Sequence, residues 1–487
     1  MTESSQEKIA SGEIDLIETD IVVVGAGGGG LAAGLVAAQG GADVIIVEQL
    51  AAPGGLSLFA EGMFAVESSL QRKAYVGLTR DQAFRHHMEA TQWVADPRLV
   101  RAFFDRSGET IEWLQRQGVE YDEAAAMWPD GPRTWHLIKG GGRGLVKALA
   151  KQAQKAGARI LLKTAMQEIL RTSGGRAAGI IARTRTGKDV EIRAKAVIIA
   201  GGGYGSNAAA LEQHAGVIPG TPPLVDMGQT GQPIWAAWAA GAAEAGTGAL
   251  MCLLSVVGEK PDSHLNAAAV QPGLWVNRDG ERFCDEAVYF EFTLAANALN
   301  RQPGAMMYSL FDEAGKERLI AGGVEAPLGI YVPAATKLER LEADLKRGIE
   351  RGLAFSGDTP EALADALHID PVALAKTVDD YNANCDRNRD GAFAKDQSYL
   401  RPLRRGPFYA IETRVHVFTS VGGIKINHRT EVVGAEGRVI PGLYAVGNCA
   451  GGLYAGNYEL THPGVALAFA VNSGRMAAEG ALGLIEE

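Results

Sequence analysis

The chain has 487 residues, too many for one ordinary hydrophobic core, so two or more folded units are expected. A hydrophobic share of 47% with 21% charged side chains describes a soluble globular protein, and a net charge of −10 with no dense Lys/Arg run argues against a nucleic-acid partner, which needs a basic face. No stretch approaches the eighteen or more apolar residues of a membrane span, and the mixed-charge start MTESSQEKIASGEIDLIE has no apolar signal core.

Residues 1–18 read as a loose tail. DIVVV (20–24) is a β-branched run suited to a strand buried on both faces. GAGGGG (25–30) follows, then LAAGLVAAQ (31–39), a helix former that ends near Gly40-Gly41. A second apolar run, DVIIV (43–47), closes on Glu48. Strand, glycine turn, helix and strand carry the order Gly25-x-Gly27-x-x-Gly30, and Glu48 lies eighteen residues beyond Gly30. In such a unit the amides of Gly25, Gly27, Gly28 and Gly30 approach a pyrophosphate at the positive end of the helix, and the acid takes the ribose hydroxyls. An acid rather than an Arg there favours an unphosphorylated ribose, hence FAD or NAD over NADP.

Further along, His86-His87 reads as a solvated helix face. Asp96-Pro97 opens a helix whose Phe103, Phe104, Ile111 and Leu114 belong to a core. AGARILL (156–162) reads as a strand, and RAAGIIAR (176–183) with DVEIR (189–193) as a hairpin. AVIIA (196–200) is a buried strand that runs into GGGYG (201–205). Near the end GLYAVG (442–447) is another short strand, and a long helix former runs from about 465 to 482. Parallel-type strands at the start, middle and end imply one sheet interrupted by an insertion, placed at 252–415, where charge density rises and the buried-strand signature disappears. Inside it TPEALADAL (359–367) and DPVALAKTV (370–378) each open with a cap followed by Pro at the first helical position. The expected domains are 19–251 and 416–487, the two parts of the dinucleotide-binding unit, with 252–415 between them. Cys252, Cys284, Cys385 and Cys449 are scattered, none in CxxC or CxxCH spacing, so they read as reduced thiols of a cytoplasmic protein with no metal, haem or iron–sulfur site.

Several further motifs join the first: PGGLS (53–57), AEGM (60–63), IAGGGYG (199–205), VNRDGERFCDE (276–286), GGIKIN (422–427) and IPGLYAVG (440–447). Their order and spacing resemble the fumarate reductase/succinate dehydrogenase flavoprotein family over nearly the whole chain. The resemblance implies an α/β fold, a Rossmann-type, glutathione-reductase-like FAD-binding domain interrupted by an inserted α+β capping domain that closes over substrate. It decides FAD over NAD. It also implies FAD contacts from Gly54, Gly55 and Ser57, from Gly62, from Ala200 and Gly201, from Gly447 and Asn448 at the ribityl chain, and from Gly464 and Val465 where the last helix opens. Leu56 stands where relatives with covalent flavin carry His, so the FAD is expected to be non-covalent.

The site departs from fumarate reductases. Phe290 stands where the proton-donating Arg would fall, FTSV (418–421) lacks the expected His, and Tyr458 occupies the position of a second carboxylate-clamping Arg. Aromatic rings cannot imitate the two parallel hydrogen bonds of Arg to a carboxylate, so fumarate is an unfavoured substrate. The aromatics resemble the 3-ketosteroid dehydrogenase branch, where Tyr residues polarise a ketone and move its α-proton while hydride passes to flavin N5, and a Pro-Gly amide holds the carbonyl oxygen. On that resemblance the catalytic candidates are Tyr289, Tyr458, His462 and Gly464, with Tyr454, His136, Arg414 and His416 weighed behind them. The expected activity is FAD-dependent dehydrogenation of a carbon–carbon bond beside the carbonyl of a cyclic ketone or steroid-like small molecule. The alternatives are an ene-reductase acting on an enone or unsaturated carboxylate, and a non-catalytic electron-relay flavoprotein. The electron acceptor or donor stays open.

Overall fold

The computed structural model describes residues 14–127 and 131–486. They divide into two compact units, one built from the chain up to Gly216, Val225–Met251 and the chain from Thr419 onward, the other from Val217–Leu224 and Cys252–Phe418.

The first unit is organised by an eight-stranded sheet. Its main path runs Glu431–Val433, Val439–Ala445, Asp189–Ile199, Ile14–Val24, Val44–Glu48, Arg159–Leu162. The last four pairings along that path are parallel, and the hairpin Thr164–Arg171 with Ala177–Thr184 joins Asp189–Ile199 antiparallel. Residues 21–24 and 44–48 are buried throughout, as strands covered on both faces must be. The first strand begins at Ile14, earlier than its apolar run suggests, and residues 14–19 pair with Asp189–Ala194. The expected tail 1–18 therefore gives way to strand from residue 14, while residues 1–13 lie outside the described residues. Leu16 in this extension is 40% exposed, so ladder hydrogen bonds rather than burial hold it.

Two helices lie against each other on the glycine turn. Gly28–Gln39 follows the first strand, and Val465–Glu486 closes the chain. Their contact is closer than side chains allow: a Cβ on Gly29 would stand 2.9 Å from the Ala470 carbonyl oxygen, and one on Gly474 would stand 2.2 Å from that of Gly29. Pro97–Arg116, capped by the Asp96 carboxylate, buries Phe103, Phe104, Ile111 and Leu114 completely.

The second unit has a five-stranded sheet ordered Leu250–Ser255, Phe408–Ser420, Met306–Asp312, Leu274–Val276, with Ala354–Gly357 also on Phe408–Ser420. All seven residues of Met306–Asp312 are buried, so a buried strand does exist where its signature was expected to disappear. The sequence MMYSLFD conceals it because it has no β-branched residue. Helices Pro360–Leu367 and Pro371–Asp386 open at Thr359 and Asp370, whose side chains accept from Ala362 N and Val372 N. A buried charge network sits beneath: Arg282 reaches Glu286 (2.7 Å) and Asp390 (2.8 Å), and Lys395 reaches Glu286 at 3.1 Å.

Candidate cofactor and active site

The glycine turn is shaped by backbone approach. Gly25 takes φ +101°, which L side chains rarely adopt, and a Cβ there would stand 2.5 Å from the Ala200 carbonyl oxygen. A Cβ on Gly30 would lie 1.8 Å from the Gly25 oxygen. Gly27 and Gly28 have more room. A Cβ on Gly27 would meet only the Gly54 oxygen and Ser57 Oγ at 3.7 Å, and Gly28 N donates to Ser57 Oγ at 2.9 Å. The turn thus presents the N-terminus of Gly28–Gln39, whose first amides have no intrahelical acceptor, beside a hydroxyl from the loop 54–57. Gly54 N is tied to Ala26 O at 2.9 Å, which brings Gly54 and Gly55 onto the turn.

Glu48 closes the second strand, 6% exposed, with Oε2 accepting from Ala26 N and Oε1 from Leu50 N, each at 2.8 Å. It borders an open cleft that also touches Gly25, Gly201, Thr164, Met166 and Gly228. A buried acid at the strand end, a cleft beside it and a helix N-terminus too tight for side chains together suit a dinucleotide: ribose hydroxyls at Glu48, pyrophosphate at the turn. The residues present fit FAD.

Gly62, Gly464 and Val465 come together at a second place. Phe64 N donates to Gly464 O at 3.1 Å, and Gly464, at φ +80°, would put a Cβ 2.7 Å from Met63 Cα. Gly447 N donates to Ser473 Oγ at 3.0 Å, which ties it to the C-terminal helix, and the Asn448 carbonyl accepts from Gly422 N at 2.9 Å. Ala200 N donates to Val24 O at 2.8 Å, and a Cβ on Gly201 would strike Pro233 at 2.4 Å.

The segment 453–464 leads into that helix and carries a tyrosine pair. Tyr454 and Tyr458 have ring centroids 5.2 Å apart and are 6% and 3% exposed. Burial pushes the Tyr458 hydroxyl well above its ordinary range, with Glu459 adding to it, while backbone hydrogen bonds from Ala466, Gly464 and Val465 act in the opposite sense. Those three residues open the C-terminal helix. Tyr454 Oη is buried and has no hydrogen-bond partner among the described residues, and burial raises its pKa strongly.

His462 is fully buried. Its Nε2 donates to Ala83 O at 3.1 Å, Nδ1 faces Thr134 Oγ1 at 3.4 Å, and burial pushes its pKa down to about 4. His136 is equally buried. Nδ1 donates to Thr134 O at 3.0 Å, Nε2 accepts from Ser68 Oγ at 2.7 Å, and burial pushes it down to about 4. Both rings are neutral and have partners on both nitrogens. His87 corrects the expectation of a solvated helix face: it is 0% exposed on Arg80–Ala90, with Nε2 donating to Leu453 O at 2.9 Å and Nδ1 to Glu459 Oε1 at 2.7 Å. Glu459 and His87 are the residues that sequence reasoning missed. The signal available was spacing, since His87 shares one buried helical stripe with Ala83 and Met88.

In the second unit Tyr289 lies on the short turn Glu286–Glu291, 5% exposed, with its ring 6.4 Å from that of Trp275 and its hydroxyl raised by burial. Phe290 packs on Tyr399 at 5.5 Å. Arg414 pairs with Glu412, and His416 Nδ1 donates to Arg414 O at 3.2 Å. Among the described residues no helix is long and apolar enough to cross a membrane.

The FAD binding domain family matches residues 20–465. The chain is 34% identical to the vinyl phenol reductase of Lactiplantibacillus plantarum, over 94% of each chain. It is 28% identical to the NADH:fumarate oxidoreductase of Klebsiella pneumoniae, over 90% of this chain and 45% of that one. A solved 3-ketosteroid-Δ4-(5α)-dehydrogenase from Rhodococcus jostii RHA1, in complex with 4-androstene-3,17-dione, superposes with a TM-score of 0.75 at 26% identity, over 96% of this chain and 97% of that one. The chain therefore belongs to the FAD-binding domain family, in its fumarate reductase and ketosteroid dehydrogenase-like group, and is an FAD-dependent oxidoreductase of carbon–carbon bonds.

Proposed function

We propose that the protein is an ene-reductase that holds FAD non-covalently and reduces a small-molecule C=C bond conjugated to an aromatic ring or a carbonyl group, with Tyr458 as proton donor. When bound, reduced FAD would supply the hydride that one carbon of the alkene needs, and Tyr458 would give the other carbon its proton. The observation that carries this reading is Tyr458, 3% exposed on the segment that leads into the C-terminal helix, whose opening residues Gly464, Val465 and Ala466 act against burial to favour its phenolate. Burial keeps that phenol protonated at rest, which is the state a donor needs and a base does not. Once the proton leaves, the amides and the helix dipole favour the phenolate that remains. Residues 450–464 contain no Lys or Arg, so this segment offers a carboxylate substrate no cation, in keeping with a neutral, aromatic alkene such as the relative's name indicates. Gly464 serves here as an amide donor, and His462 as a neutral support packed on Phe64 and Phe104.

The likeness to the ketosteroid dehydrogenase favours a second reading, dehydrogenation beside a ketone. One anaerobic experiment separates them. Photoreduced enzyme is mixed with 4-vinylphenol, a cyclic enone or fumarate, and oxidised enzyme with saturated cyclic ketones, while the flavin spectrum is followed. Reoxidation by 4-vinylphenol or the enone at a rate fumarate does not approach supports the reductase, and Tyr458→Phe should lower that rate by about 10²–10⁴. Bleaching of oxidised flavin by ketones, with alkenes inert, establishes the second reading. Acid should release intact FAD; flavin that stays on the denatured chain refutes non-covalent binding.

A further inference from the structure

The buried His87–Glu459 pair is not accounted for by the chemistry above. Both ring nitrogens of His87 face acceptors, the Leu453 carbonyl and the Glu459 carboxylate. Although burial works against its charge, Glu459 is held below the ordinary carboxylate range by the His87 charge and hydrogen bond, by His462 and by a hydrogen bond to Thr461. The Leu453 carbonyl and the Glu459 carboxylate are both acceptors, so the ring of His87 bridges them through its two nitrogens. A buried ion pair is weak evidence of stability and is better attested as a device that fixes one arrangement. What it fixes is local. His87 holds residue 453 with one nitrogen and residue 459 with the other, and Glu459 Oε2 accepts from Thr461 N at 2.7 Å. Tyr454 and Tyr458 lie within the span so closed, and the Tyr454 ring stands 6.2 Å from that of His87.

We propose that His87 is a positioning residue: its ring clamps the segment 453–459 at both ends and so sets the hydroxyls of Tyr454 and Tyr458 for the substrate. This rests on the reading of those tyrosines as the substrate side of the site. Tyr454 Oη, buried and without a protein partner among the described residues, is the group whose placement would matter most, since such a hydroxyl is free to bond a ligand.

The test compares His87→Ala, Glu459→Ala and Glu459→Gln as holoenzymes with matched FAD content. Glu459→Gln preserves the geometry without charge, because a neutral His87 can donate from Nε2 to Leu453 and accept the Gln amide at Nδ1. Two readouts are taken. Amide exchange of the peptide spanning 453–464 should quicken about tenfold or more in both Ala variants and stay near wild type in Glu459→Gln. The rate of flavin reoxidation by 4-vinylphenol at saturation should fall about tenfold or more in the Ala variants with KM changed far less, and the double Ala variant should be no worse than either single, as for residues acting as one unit. Unchanged exchange in His87→Ala overturns the clamp. Faster exchange with wild-type turnover overturns the positioning role, and a Glu459→Gln as slow as Glu459→Ala overturns the neutral rescue on which it rests. A wild type that reduces no alkene refutes the function and with it the positioning role, while exchange still decides the clamp.

Discussion

Acid should destabilise this protein through two histidines that no surface titration reveals. His136 and His462 are fully buried and neutral, each with its pKa pushed down to about 4 by burial. In the unfolded chain both return to the ordinary value near 6.5. As pH falls through 6.5 the unfolded chain binds two protons that the native protein refuses until about 4, so stability is full above that window and is lost across it. Evaluating the two binding curves at pH 5 gives a loss of about 2 kcal/mol for each ring relative to neutral pH. Urea unfolding of the FAD-loaded protein at pH 7.5 and pH 5.0 measures it, with His136→Gln and His462→Gln as controls. Each variant loses packing, yet it also loses one titrating group, so its drop between the two pH values should be smaller than that of the wild type by about 2 kcal/mol. If wild type and both variants fall in parallel, the rings are not the neutral species that their hydrogen bonds require.

Three further outcomes follow from other contacts. Glu48→Ala should release FAD far more readily than Glu61→Ala, measured by flavin retained after gel filtration, and equal loss would misplace the ribose contact. Glu286→Gln leaves Arg282 and Lys395 buried with one carboxylate between them and should cost about 3–5 kcal/mol in denaturant unfolding. Gly474→Ala sets a methyl 2.2 Å from the Gly29 oxygen and should lower both thermal stability and FAD retention although residue 474 is no cofactor ligand; normal yields of yellow protein would refute the tight helix contact.

What could be read before the coordinates was the part governed by backbone sterics and burial on both faces. Gly25, Gly30 and Glu48 announce themselves because a side chain at the first two collides with backbone and the third closes a fully apolar strand. The strands at 20–24, 196–199 and 443–445 were legible for the same reason. Met306–Asp312 was not, because its burial is achieved with Met, Tyr, Ser and Leu rather than with Val and Ile. In the candidate site Tyr454, Tyr458 and His462 stand out as residue types, but their partners do not. His87 reaches Leu453 and Glu459 across more than 360 residues, and nothing local to HH at 86–87 tells one ring facing water from one enclosed by the C-terminal segment.

The C-terminal helix is held by glycines at two points, Gly464 against Met63 at its start and Gly474 against Gly29 further along. Ten residues separate them, or about 15 Å of rigid rod. A rod pinned twice has a phase as well as a length. Inserting or deleting one residue between the pins would turn one contact about 100° away from its partner and slide it about 1.5 Å along the axis. Neither pin has room to absorb that, since each admits only a hydrogen where a side chain would stand. Changes in chain length should therefore avoid 464–474 and fall in segments such as the exposed turn at Gly187, where the backbone is free of close neighbours. Related chains of different length should align here without a gap.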